Sequence, residues 1–258
     1  MCSAHAGDLL LWRLVGPPGP PITHSLTVAQ AGRAAEMRIS LAVRGTEILP
    51  DCLHGPLAAG EAHRHAFRIA LDRDGDGRID HLAYHVPGGL CLEAAKLLAM
   101  LGSVRVHGFG HYDLVATLPD AELGGPARRW RAVTPFFAPR HSRRGRTQRL
   151  RAGYSASEQL VRELDLLGRS LPPCAVAALD PARHGLPSPR DFRRGNEGRR
   201  ANAPGRPETG YFMLTFETPV MGPIAAGYGA HFGLGCFVPD RPVQTPHPSQ
   251  RVGKRGNA

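Results

Sequence analysis

His63 and His65 stand two residues apart in "EAHRHAF" (61–67), at the entrance of a strand-like run. At that spacing both imidazoles point to one side of an extended chain. Imidazole gains and loses a proton near neutrality, so either ring can act as general base or general acid. Such a pair also ligates metals, but no third Cys or carboxylate accompanies it at useful spacing; two ordinary polar residues ahead of a strand are the plain alternative. His231 lies in "GYGAHFGLGCFVP" (227–239), with Gly227 and Gly229 before it and Gly233 and Gly235 after it. Glycines there fit backbone amides offered to an RNA or DNA phosphate, or a place where the chain must pass close to itself. The loop follows a short turn and precedes a strand, so it is no dinucleotide fingerprint, and no GxxxxGK[ST] occurs. His141, ending "WRAVTPFFAPRH" (130–141), is a further candidate, and His81, His85, His107 and His111 compete for the same role.

"DRDGDGRID" (72–80) matches the front of a calcium loop, with Asp72, Asp74, Asp76 and Gly77 at positions 1, 3, 5 and 6 and Asp80 at 9. Position 12 is Ala83 where a bidentate carboxylate is required, and both flanks are strand-like. A hairpin whose Asp and Gly residues satisfy a tight turn explains the string better. Calcium is the weaker alternative, and no cofactor motif is present.

The elements that must position these residues read as follows. "LLLWRLVG" (9–16) is a short apolar run, and "SLTVAQAGRAAEMRISLAV" (25–43) a helix opened by Ser25. "HAFRIAL" (65–71) and "IDHLAYHV" (79–86) are strands joined by the aspartate turn. "LCLEAAKLLAMLGSV" (90–104) has helical spacing, and "VRVHGFGHYDLVATL" (104–118) reads as one strand. The order is β-α-β-β-α-β, the ferredoxin-like unit. It recurs as "RWRAVTPFF" (129–137), helix 155–168, strands 174–180 and 210–220, a helical turn at "GPIAAG" and a last strand "GCFVP". The expected fold is α+β, two tandem ferredoxin-like (RRM-like) domains at 9–120 and 129–240. Residues 121–128 link them, 1–8 precede them, and 241–258 form a Pro/Gln/Arg/Gly tail expected to be disordered.

Charge divides the chain at the same place. Residues 1–127 carry 9 Arg and 1 Lys against 13 acids, and the remainder 21 Arg and 1 Lys against 9 acids, so the net charge of +10 belongs to the second half. Residues 126–151 hold nine arginines and no acid, and 183–200 six arginines against two acids. A one-sided basic half with interleaved aromatics is the footprint of a nucleic-acid binder. Codon bias accounts for Arg in place of Lys but not for the acids avoiding one half. Arg140, Arg143, Arg144, Arg146, Arg193 and Arg194 are the nucleic-acid-contact candidates, with Gly229, Gly233 and Gly235. No run of about 18 apolar residues exists to span a membrane. The N-terminus lacks the basic region of a signal peptide. Five scattered cysteines without a CxxC suit a reducing cytoplasm.

"ITHSLTVAQAGRAAEMR", "GEAHRHAFRIALDRDGDGRIDHLAYHVPGG", "WRAVTPFFAPRH" and "GPIAAGYGAHFGLGCFVP", in this order, resemble a CRISPR-associated subunit of type I-U (I-G) systems. That family fuses a backbone-type Cas subunit, which holds the 5′ handle of the guide, to a repeat-cleaving Cas endoribonuclease. The resemblance spans about residues 10–240 and covers the C-terminal, RNA-processing half; the usual N-terminal half is absent or reduced to the first few residues. It implies metal-independent cleavage of precursor CRISPR RNA. A 2′-OH attacks the adjacent phosphorus and leaves a 2′,3′-cyclic phosphate and a 5′-OH, and the product is retained for a type I interference complex. His63 and His65 match the family's H-x-H-A motif and His231 its H-F-G-L-G motif, with His141 a further possibility. The partners implied are repeat RNA and the other subunits of that complex. A non-catalytic guide-RNA-binding subunit, or a degenerate truncated member, is the alternative.

Overall fold

The computed structural model describes residues 8–54, 65–119, 121–140, 143–144, 149–167, 171–192 and 208–240. The first part comprises β1 (Asp8–Val15), α1 (Ser25–Arg44), the one-turn α2 (Asp51–His54), β2 (Phe67–Leu71), β3 (His81–Val86), α3 (Leu92–Ala99), β4 (Ser103–Val106) and β5 (Gly110–Thr117). These strands form one antiparallel sheet in the order β2-β3-β1-β5-β4. The order is ferredoxin-like, with the fourth strand doubled. Val106 C=O accepts the N–H of Phe109 and closes a tight turn, so residues 104–118 form a hairpin rather than the single strand expected. β5 takes the place beside β1, and β4 becomes the edge.

The alanine- and glycine-rich face of α1 lies on this sheet because only small residues let helix and strands approach so closely. Val28, Ala29 and Ala35 are buried. A Cβ on Gly32 would stand 2.8 Å from Tyr84 Oη and 3.1 Å from Leu82 Cδ2. Across the same interface Arg68 on β2 meets Glu36 on α1, both fully buried, with Arg68 Nε donating to Glu36 Oε1 at 2.7 Å.

After the short α4 (Ala121–Gly124), the second part runs β6 (Ala127–Ala132), β7 (Phe136–Phe137), β8 (Arg143–Arg144), β9 (Arg149–Leu150), α5 (Ala156–Asp165), β10 (Cys174–Leu179), β11 (Thr209–Val220), β12 (Ile224–Ala225) and β13 (Cys236–Pro239). The main sheet has the order β10-β11-β6-β13-β12, with β7 beside β11; β8 and β9 pair with each other. This is ferredoxin order again, so the fold is α+β with two ferredoxin-like sheets in tandem. Ser155 starts α5 with a capping box, its hydroxyl accepting Glu158 N–H while the Glu158 carboxylate accepts Ser155 N–H. The helical turn expected at 222–227 is instead strand β12, because Ile224 and Ala225 pair with Phe237 and Cys236. A 3-10 turn, Ala230–Phe232, then leads to β13. Trp130, Phe136 and Phe137 are buried, so this aromatic strand belongs to the core. No helix among the described residues is long and apolar enough to cross a membrane.

Candidate functional site

The loop between β12 and β13 lies against β2 of the first sheet, and the candidate site forms at that seam. His231 is stacked between two rings of the first part: His65 at 3.8 Å and 14°, and Phe67 at 4.1 Å and 22° between centroids and planes. Its Nδ1 lies 3.2 Å from the Ala66 carbonyl oxygen. A carbonyl only accepts, so Nδ1 carries the proton in this contact and Nε2 is the basic nitrogen of the neutral ring.

Two residues that the sequence reading did not single out border the same turn. Arg33 on α1 donates through Nη2 to His54 Nδ1 on α2 at 3.2 Å, and its guanidinium lies 5.9 Å from the Phe232 ring centroid. A guanidinium only donates, so His54 Nδ1 is the acceptor and its proton sits on Nε2. Burial, then the neighbouring Arg68, lowers the Arg33 pKa, while Glu36 opposes the shift. The guanidinium stays a cation. The cluster therefore holds three imidazoles and one cation, the groups needed for proton transfer beside an anion. The signal for Arg33 is a cation inside an alanine-rich helix, one residue after buried Gly32. His54 had no local signal, since "DCLHG" is unremarkable without its fold.

Beneath the cluster, the Arg68–Glu36 pair ties β2 to α1, and Arg68 Nη2 also donates to the Leu53 carbonyl on α2 at 3.1 Å. Burial works against the Arg68 charge, but Glu36 outweighs it and the pKa is raised. Burial and Glu36 push the Tyr84 hydroxyl well above its ordinary value. The elements carrying Arg33, His54 and Phe67 are thus held by one buried polar knot.

The glycines of the loop have a packing reason for their type. Gly233 is buried at φ +81, and a Cβ there would stand 3.3 Å from Ala70 N and Arg68 O of β2. Gly235, also buried at φ +58, would place a Cβ 2.1 Å from the Ala226 carbonyl oxygen. Gly229 is half-buried and faces Leu234. At Gly233 the backbone of β2 approaches the loop, whereas at Gly229 and Gly235 the loop packs on its own residues Leu234 and Ala226.

Of the other candidates, His63, His141, Arg146, Arg193 and Arg194 lie outside the described residues. Arg143 and Arg144 form β8, whose backbone alone is described. Arg140 is ion-paired: Nη1 lies 2.7 Å from Glu163 Oε1, and its backbone N–H donates to Gln159. Among the described residues one group could hold a metal, Asp72, Asp74 and Asp76, whose ligand atoms lie within 4.8 Å of one another. Their oxygens serve the turn. Asp72 accepts the N–H groups of Gly75 and Gly77 at 2.8 Å each, Asp74 accepts Asp76 N–H, and Asp76 accepts Arg78 N–H. Asp80 accepts Arg73 N–H at 3.0 Å. This is the hairpin expected from the string.

No family model and no curated protein sequence matches the chain. Two solved structures are similar to it at low identity. One, described as "CRISPR associated protein Cas6", is 12% identical, covers 90% of this chain and 98% of its own, and gives a TM-score of 0.44. The other, "Characterization of a Cas6-related gene from Pyrococcus furiosus", is 11% identical, covers 92% and 100%, and gives a TM-score of 0.40.

Proposed function

We propose that this chain binds CRISPR repeat RNA and cleaves it without a metal, leaving a 2′,3′-cyclic phosphate and a 5′-OH, and keeps the product for a type I (I-U/I-G) interference complex. The observation that carries the reading is the stack of His65 on His231, with Arg33 and His54 beside it, where two ferredoxin-like sheets meet. In the proposed reaction the His231 Nε2 removes the proton from a ribose 2′-OH. The 2′ oxygen bonds to the adjacent phosphorus, the bond from phosphorus to the 5′ oxygen breaks, and His65 supplies the proton to that leaving oxygen. Arg33 faces the charge that builds on the phosphoryl oxygens. His63 and His141 remain candidates for the same proton transfers. The arginines of 140–151 and 190–194 hold the strand by its phosphates; Arg140 has to exchange Glu163 for one. The protein acts in the cytoplasm.

Purified protein incubated with end-labelled repeat RNA in EDTA tests the reading. The expected product is a single cut with a cyclic phosphate end. A gel shift with intact RNA would leave the non-catalytic guide-binding reading.

A further inference from the structure

A second reactive pair lies on the first part. Cys52, the second residue of α2, and Cys91, which caps α3, have their Sγ atoms 3.4 Å apart. They come from segments 39 residues apart in sequence, so the fold alone brings them together. Both are free thiols; Cys91 is exposed and Cys52 half-buried. The Cys91 Sγ also accepts the N–H of Ala94 in the first turn of α3. A disulfide needs the sulfurs at about 2.04 Å, so from 3.4 Å the two Sγ atoms have to come about 1.4 Å closer.

We propose that Cys52 and Cys91 form a reversible dithiol–disulfide site whose co-reactant is a low-molecular-weight disulfide. The Cys91 sulfur attacks one sulfur of that molecule, forming a mixed disulfide and releasing one small thiol with the proton Cys91 gives up. The Cys52 sulfur then attacks Cys91 Sγ, the mixed bond breaks, and a second small thiol leaves with the Cys52 proton. Two cysteines are oxidised and one small disulfide is reduced to two thiols. Burial pushes the Cys52 thiol up to about 11, so the second step quickens as pH rises toward that value.

The site connects to the seam by two hydrogen bonds. The Cys52 carbonyl accepts the Ala66 N–H at 2.8 Å, and the Ala66 carbonyl accepts His231 Nδ1 at 3.2 Å. A bond from Cys52 to α3 therefore braces the short helix that bears His54 and supports the strand start under His231. The proposal uses no RNA and stands apart from the cleavage reading.

The test is to treat the full chain with oxidised glutathione and map its peptides without reduction, beside Cys52→Ser and Cys91→Ser; serine at 91 keeps an N-cap acceptor. The expected result is a Cys52–Cys91 linked peptide lacking two hydrogens and reversed by dithiothreitol. Either serine variant loses it, the linked form melts several degrees higher, and the Ala66 amide exchanges more slowly. Stable glutathione on Cys91 without the cross-link, or no reaction at either thiol, overturns the site. An unchanged Ala66 exchange rate in the linked form overturns its connection to the seam.

Discussion

The buried ion pair Arg68–Glu36 matters more to this protein than its two residues suggest, because it joins α1, β2 and the Leu53 carbonyl of α2 in one contact. Removing one partner leaves an uncompensated charge in a site with almost no solvent, a loss of roughly 3–5 kcal/mol. Glu36→Ala is therefore expected to lower the melting temperature strongly. The double variant Glu36→Leu with Arg68→Met should recover much of the loss, since two apolar groups bury no charge. Melts of wild type, Glu36→Ala and the double variant check this, and a double variant that melts no higher than Glu36→Ala would show that the lone buried charge is not the cause of the loss. At this scale the sequence was readable by type but not by meeting. His65 and His231 were visible as titratable residues in unusual strings, yet nothing local says that their rings stack. His54 escaped altogether because it is ordinary until α2 folds against the turn, and Arg33 showed only as a cation inside an alanine-rich helix.

At the scale of elements, what could be read was what local chemistry decides. α1 and α5 were legible because helical spacing lies within the segment itself, and α5 adds the Ser155–Glu158 capping box. Ser25 does not cap α1 as expected, since it is buried inside the first turn and the N-cap position is His24, which makes no side-chain capping bond. The hairpin β4–β5 and the strand β12 were not, because both depend on which distant strand accepts the backbone. Ile224 and Ala225 are strand only by pairing with Phe237 and Cys236. The glycine loop illustrates the same limit, since spacing alone left open whether a phosphate or a strand approaches it. With φ at +81 and the backbone of β2 3.3 Å from a Cβ, Gly233→Val is expected to cost about 2 kcal/mol or more from conformation alone. It should also loosen the loop from β2. The check is chemical denaturation beside Gly185→Ala, a glycine at φ +64 with open space around it, where the loss should be smaller. Equal losses would mean that the seam contributes nothing at Gly233.

Over the whole molecule, the proposed function and the uneven charge together predict how RNA would be held. A single strand loses affinity with salt at a slope of about −0.7 per neutralised phosphate. Replacing Arg143, Arg144 and Arg146 together by Ala should weaken binding of repeat RNA and flatten the slope by about 2. An unchanged slope would show that the cluster is only solvated. In the proposed reaction, binding and cutting separate, because the basic segments lie in the second part while the stacked histidines need both parts to meet. The most direct measurement is single-turnover cleavage of labelled repeat RNA in EDTA by the wild-type chain, His65→Ala and His231→Ala, each held at saturating protein with binding measured alongside. The account predicts that both variants bind as tightly as wild type and cleave about 10²–10⁴-fold more slowly. Cleavage by both variants at the wild-type rate, with binding intact, would contradict it.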